Sequence, residues 1–338
     1  MSANSKLPDT FHVTKRIDFA KAIDVRNLKD KSIIVTGGAN GLGAGCVTSF
    51  AEAGAYVTIL DINNELGSAH AEQLNSKGHH VKFVKTDTSS WPSQMDGFKA
   101  AIDFSPRKTI DIVLTSAGLT TKSVVGGWLD KVSSLSKDPE APPTATIDVN
   151  LTGLYYSAHL ALYYFKKTAK PGDQGSKQIM FVSSLAGYLA LNQVADYVAS
   201  KYGARGLWRT LRYSPEILGE DMPRFRTNLV CPTYIKTDMT QSIQPILESM
   251  GIALGEVADV VAGVMRCACD ESIEGRALAI APGKESAGDR NFDLCDDWEG
   301  VEGGRELTEH IADGTIKGLE LGDRPPQLKG VNFEAAPK

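Results

Sequence analysis

The sequence predicts an α/β protein: one domain built on a doubly wound parallel sheet. Two observations carry this. Between residues 31 and 282, short apolar runs alternate with longer helix-patterned segments. Strands that read as continuous apolar runs are those of parallel sheets covered on both faces. The first such run enters a glycine-rich turn that opens a helix, which is the junction where sheets of this kind hold phosphate groups.

The elements follow in order. Residues 32–35 form the first strand candidate, and a helix follows the glycine turn through Ala53. Strand 56–60 precedes a helix over 65–76; strand 81–85 precedes a helix over 91–104; strand 110–115 comes next. A loop over 133–144, with Pro139, Pro142 and Pro143, leads to a long helix over 146–167. Strand 178–183, helix 195–218, strand 226–230, helix 256–269 and strand 277–281 complete the series. The connection 233–255 holds Met239, Ile243, Ile246, Leu247 and Met250. Apolar residues in so long a connection predict a lid or pocket wall. Residues 1–30 read as an N-terminal extension and 283–338 as a C-terminal one. The latter is rich in Gly, Asp and Glu, with one short helix near 304–312, and is expected to be an arm with a disordered end.

Composition excludes several functions. The net charge of −5 gives no reason to expect nucleic acid or an anionic membrane as partner. No run of about 18 apolar residues occurs, so no spanning helix is expected. Five cysteines, an odd number, form no disulfide framework and suit a reducing, cytoplasmic compartment. Cys267 and Cys269 are too close for a metal knuckle; they read as helix-face thiols, and no metal site is expected.

The turn Thr36-Gly37-Gly38-Ala39-Asn40-Gly41-Leu42-Gly43 combines flexibility with close backbone approach. A glycine-rich hairpin without ligand is the alternative. The strand before and the helix and strand after favour dinucleotide binding. Asp61 ends the second strand about twenty residues on, where a carboxylate meets the ribose hydroxyls. With Ile62 next and no Arg or Lys in the turn, NAD is the expected cofactor, ahead of NADP. Asp61 can also be a turn residue capping a helix. Asp87 and Thr88 follow the third strand, placed to reach the adenine. Thr115-Ser116-Ala117-Gly118 ends the fourth with small residues that admit a cofactor.

Tyr197 and Lys201 stand four apart, a spacing that puts both on one helix face. A cation beside a phenol lowers its pKa, which would let Tyr197 exchange protons with an alcohol near neutral pH. Ser184, from another element, could hold the same oxygen. Taken alone the spacing also fits a partly buried helix face with a snorkelling lysine.

Together these motifs resemble the short-chain dehydrogenase/reductase family, a Rossmann-fold family, over residues 31–282. The match rests on the glycine turn, Asp87, Thr115 to Gly118, Asn150, Ser184 with Gly187, Tyr197 with Lys201, and Pro232 with Thr237. The resemblance implies hydride transfer between a nicotinamide and a carbinol carbon. It implies Tyr197 as general base or acid, Lys201 tuning it and binding the ribose, Ser184 orienting the substrate oxygen, and Asn150 holding a water that links Lys201 to solvent. As cofactor residues it implies Gly37, Asn40, Gly41, Leu42, Gly43, Asp61, Ile62, Asp87, Thr88, Ala117, Gly118, Tyr197, Lys201, Pro232, Ile235 and Thr237. Ser184, Tyr197, Tyr234 and Met239 would meet the substrate, a medium-sized hydrophobic secondary alcohol or its ketone. Apolar and aromatic positions run most of the way round the 146–167 helix, and the resemblance implies that this helix and the one after Tyr197 pair with a second subunit in a homodimer or homotetramer. An NADPH-dependent ketone reductase and a catalytically silent NAD-binding scaffold are the rival readings. Two positions depart from the family pattern. Thr115 replaces an asparagine that braces the sheet, so another bond must serve. Thr233 replaces a glycine and brings a β-branched side chain to the nicotinamide pocket.

Overall fold

Among the described residues, eight strands lie in one sheet, in the order third, second, first, fourth, fifth, sixth, seventh and eighth along the chain. A computed structural model describes residues 14–120 and 141–294, apart from 174, 190, 192, 193, 213 and 220. β1 (Ser32–Thr36), β2 (Tyr56–Asp61), β3 (His80–Lys85), β4 (Ile112–Thr115), β5 (Ser176–Val182), β6 (Arg224–Pro232) and β7 (Ala277–Ile280) are parallel. β8 (Asn291–Asp293) closes the edge antiparallel to β7. β1 pairs with β2 on one side and β4 on the other, Thr36 standing opposite both Leu60 and Thr115. The chain order reverses there, and ligands of open α/β sheets bind at such a switch point.

Helices cover both faces, as the apolar runs predict. α1 (Gly41–Glu52) and α8 (Val257–Cys269) pack on one face with Phe50, Val57, Ile59 and Val264. On the other face α3 (Trp91–Phe104), α5 (Leu154–Thr168) and α6 (Ala195–Leu211) bury Phe98, Phe165 and Trp208. α2 (Asn64–Asn75) packs beside β3. Its start is capped by Asn63, whose side-chain oxygen accepts from Leu66 N, satisfying one of the free amides of the first turn.

Several elements differ from expectation for local reasons. The helix expected over 195–218 stops at Leu211, four residues before Pro215, a residue that disfavours helix before it. The long helix expected over 146–167 comes in three parts. A short turn, α4 (Ala145–Ile147), leads into a π-helix over Asp148–Gly153, and α5 follows. Within the 233–255 connection, α7 (Gln244–Ser249) buries Leu247 and leaves Ile246 and Met250 exposed. β8, three residues long, carries too short a pattern to read. The brace missing at Thr115 is supplied by its own hydroxyl, which donates to Met180 O at 3.4 Å and ties β4 to β5. The helix expected near 304–312 and residues 133–140 of the expected loop lie outside the described residues, as does Cys295.

Residues 14–30 belong to the same compact unit as the sheet. The buried side chain of Arg276, the residue just before β7, pairs with Asp293 of β8 at 2.8 Å and donates to Thr14 O at 3.0 Å. Asp293 also accepts from Ile17 N at 2.9 Å. A buried charge is tolerated only when paired and hydrogen-bonded, so this arginine holds the chain's two described ends on the last edge of the sheet.

Candidate active site

The glycine turn is shaped by backbone contacts that leave no room for side chains. Gly37 has φ +67, and a Cβ there would lie 2.5 Å from Ala117 Cα. A Cβ on Gly43 would fall 2.1 Å from Gly37 O. Gly37 N donates to Leu60 O at 2.8 Å, so the turn hangs on β2. Asn40 takes the N-cap position of α1 without a side-chain cap bond, and Leu42 packs on the core below. The open side of Gly41 faces Thr237 Cγ2 at 3.7 Å, bringing the 233–255 connection against the turn.

The expected adenosine residues gather at the ends of β2 and β3. Asp61 accepts from Ala39 N at 3.0 Å through Oδ2 and from Asn63 N at 2.9 Å through Oδ1. Ile62 is exposed. Asp87 accepts from Ser89 N and Oγ at 2.9 and 2.7 Å. Thr88 is buried, and its carbonyl accepts from the Gln94 amide.

The three groups of the proton-transfer set come from β5 and α6. Ser184 leaves β5 and caps the 3-10 turn Leu185–Gly187, its Oγ accepting from Ala186 N at 3.1 Å. The same Oγ donates to Pro232 O at 3.3 Å and hydrogen-bonds the Tyr197 phenol. Lys201, one turn along α6, is buried with Nζ 5.3 Å from the Tyr197 ring centroid and 3.2 Å from Val182 O. Burial pulls its pKa down to about 8. Burial pushes the Tyr197 phenol above its usual value, and the Ser184 hydrogen bond opposes that. Lysine proximity alone therefore does not lower the phenol, contrary to the simple charge argument, because desolvation of both groups is the larger effect.

Asn150 lies buried in the π-helix. Its Oδ1 accepts from Leu119 N and its Nδ2 donates to Leu119 O, both at 2.8 Å, and Nδ2 also reaches Ser200 Oγ at 3.2 Å. Ser200 Oγ donates to Tyr197 O at 2.7 Å. Asn150 thus clamps the peptide after Gly118 and, through Ser200, the first turn of α6. The sequence carries no signal for this clamp: Ser200 is one more small residue in a helix, and Leu119 contributes only backbone. A Cβ placed on Gly118 would stand 3.4 Å from Asn150 Oδ1 and 3.7 Å from Lys201 Nζ.

The remaining predicted residues line the exit of β6. Ile235 is buried and bridges to Gly255. Thr237 N donates to Thr240 Oγ1 at 3.1 Å. Tyr234 is half-buried at the start of the connection, and Met239, five residues on, is exposed.

A glycine-cradled turn at the switch point, with a serine, tyrosine and lysine converging beside it, defines a dinucleotide-dependent oxidoreductase site. The chain belongs to the short-chain dehydrogenase family: the family profile described as "short chain dehydrogenase" matches residues 31–247. It is similar to "NADP-dependent dehydrogenase M3" of Phoma sp., 36% identical over 91% of each chain. It is also similar to "5'-hydroxyaverantin dehydrogenase" of Dothistroma septosporum, 38% identical over 82% of this chain and 92% of the relative. "NADP-dependent dehydrogenase clz5" of Cochliobolus lunatus is 37% identical over 79% of this chain and 94% of its own. The crystal structure of gox2181 superposes with a TM-score of 0.61, at 26% identity, over 76% of this chain and 96% of that one.

These relatives overturn the expectation of NAD. Two of them, each matched over more than three quarters of this chain, are named NADP-dependent. The geometry supplies the reason the inference from Asp61 fails. Both oxygens of that carboxylate accept backbone N–H groups, so it braces the turn whichever cofactor binds. Lys85, exposed, stands opposite it in the β2–β3 ladder.

Proposed function

We propose that this chain moves a hydride between NADP and the carbinol carbon of a medium-sized hydrophobic secondary alcohol or its ketone. The observation that carries the reading is the placement of Ser184 after β5 and of Tyr197 and Lys201 one turn apart on α6, with Lys201 Nζ 5.3 Å from the tyrosine ring. The site residues fit the cofactor. Gly37 and Gly43 leave a cradle that a Cβ would fill, Gly118 is open toward Lys201, and Lys85 offers a cation beside Asp61. When bound, the nicotinamide supplies the hydride donor or acceptor, and its positive charge in the oxidised form favours phenolate.

The chain's own groups supply the rest. Ser184 Oγ holds the substrate oxygen and stabilises charge developing there. Tyr197 Oη takes the hydroxyl proton in oxidation and returns it in reduction. Lys201 stands by to stabilise the phenolate, and its own proton is labile near neutral pH because burial has weakened it. Asn150 fixes the geometry through Leu119 and Ser200. The exposed Met239, Ile243, Ile246 and Met250 give the substrate connection an apolar surface. That surface and two relatives named 5'-hydroxyaverantin dehydrogenase support a hydrophobic hydroxylated substrate.

Replacing Tyr197 with Phe tests the reading. Turnover should fall by about 100-fold or more while NADPH affinity, measured by fluorescence titration, stays within about twofold. Unchanged turnover would remove Tyr197 from the chemistry and leave a nucleotide-binding role.

A further inference from the structure

Gln94 stands on the first turn of α3 and is fully buried. Its amide reaches two distant stretches of backbone. Nε2 donates to Thr88 O, just after β3, and to Gly153 O at 2.7 Å, at the end of the π-helix. Oε1 accepts from Ser157 Oγ of α5 at 2.7 Å. The neighbouring Ser93 Oγ accepts from Asp87 N at 3.0 Å. One turn of α3 therefore holds both residues of the expected adenosine end and the helix that carries Asn150.

The fit is specific to an amide. Two carbonyls need two donors, and the serine hydroxyl needs an acceptor; glutamine alone among side chains of this length supplies all three. Glutamate would set a carboxylate against the carbonyls, and methionine would leave them without this donor. Backbone contact is equally close. A Cβ on Gly153 would lie 2.7 Å from Thr88 O, so the π-helix rests directly on the segment after β3.

That contact bears on the reaction because of what the π-helix carries. π-turns are rare and gather at functional sites. Relaxing this one to an α-turn would rotate Asn150 by about 100° relative to α5. Asn150 would then leave the Leu119 peptide, which it holds at 2.8 Å, and Ser200. Two carbonyls bound by one NH₂ group are held at a fixed separation, and the turn that aims Asn150 ends at one of them.

We infer that Gln94 is a positioning residue for the reaction. By holding Gly153 O against Thr88 O it keeps the π-turn that aims Asn150 at Leu119 and Ser200. The inference rests on the oxidoreductase reading above and adds a residue that touches neither cofactor nor substrate.

The test uses Gln94→Met, Asn150→Ala and the double variant, with NADPH and the hydrophobic ketone β-tetralone. Gln94→Met should lower kcat by about 10-fold or more, as a displaced reacting geometry does, while the Kd for NADPH stays within about twofold. In the Asn150→Ala background the same substitution should change kcat by less than about twofold, because the amide it aims is already gone. A second arm needs no substrate. The Leu119 N–H donates to Asn150 Oδ1, and its hydrogen exchange in the ligand-free protein should quicken about 10-fold or more in Gln94→Met and no further in the double variant. Three results overturn the inference: an equal fall in kcat in both backgrounds, a loss of NADPH affinity that matches the fall in kcat, or unchanged exchange at Leu119. Should Gln94→Met fail to fold, Ser157→Ala removes only the Oε1 partner and carries the same comparison, with an expected fall in kcat of about 2- to 3-fold. Failure of the unaltered protein to bind either NADPH or NADH brings down the oxidoreductase reading instead, and the role of Gln94 in the reaction falls with it.

Discussion

A lysine ammonium taken out of water is costly, and Lys201 shows the cost as a pKa pulled from 10.5 to about 8. The unfolded chain then binds more protons than the folded one between these two values, so stability rises with pH across that window. The penalty is full below about 8 and gone above about 10.5. At about 1.36 kcal/mol per unit it amounts to about 3 kcal/mol. Replacing Lys201 with Met should therefore stabilise the ligand-free protein at pH 7 and abolish this rise, as read from denaturant unfolding at several pH values. Equal pH dependence in the two proteins would mean that the lysine is solvated. The same residue shows what can be read in advance. Tyr197 and Lys201 share a face because helix geometry dictates it, so their pairing is visible in the spacing. Their desolvation depends on what surrounds them, and the pattern is silent there. Asp61 misled for the same reason: its position was readable, but its bonds to Ala39 and Asn63 were not.

At the scale of elements, α5 presents Tyr155 and Tyr163 to solvent at 55% and 53% exposure, while its other side buries Leu160 and Phe165 in the core. Close by, Trp91 of α3 packs edge-on against Tyr156. Surface aromatics gathered this way favour a protein interface over water. We propose that a second copy of the chain covers this face. Light scattering should give a homodimer or a multiple of it, and Tyr155→Glu should shift it toward monomer; a monomeric unaltered protein would rule the interface out. Most strands were readable because they hold a buried apolar stretch, as β1 and β4 do along their whole length, and the helices because their patterns are long. What escaped was short or dependent on distant partners. β8 has three residues. The π-helix around Asn150 is stabilised by a loop 31 residues away in sequence, and no local preference announces it.

At the scale of the molecule, the sheet is sealed by a contact between its beginning and its end. Thr14 and Ile17 bond to Arg276 and Asp293, partners separated by 262 and 276 residues. The hydrophobic layers on the two faces of the sheet join elements from along its whole length. The edge at β7 and β8 is different, because it needs both ends of the described chain at once. Chains arrested on the ribosome before Asp293 should leave residues 14–17 open to protease, and the released protein should protect them. Protection in the arrested chain would mean that the segment docks without its acidic partner.

That arginine also sets a clock. A ribosome adds about 5–20 residues each second, so the segment that leaves first waits roughly 10–60 s for Asp293. Only at the end of that wait, over the last about 1–3 s between synthesis of Arg276 and of Asp293, does the nascent chain have an open strand edge at β7 and an unneutralised guanidinium beside it. Such edges are where chains pair wrongly with one another. Charged side chains on a strand edge disfavour such pairing, and Arg276 stands at the edge it later locks through Asp293.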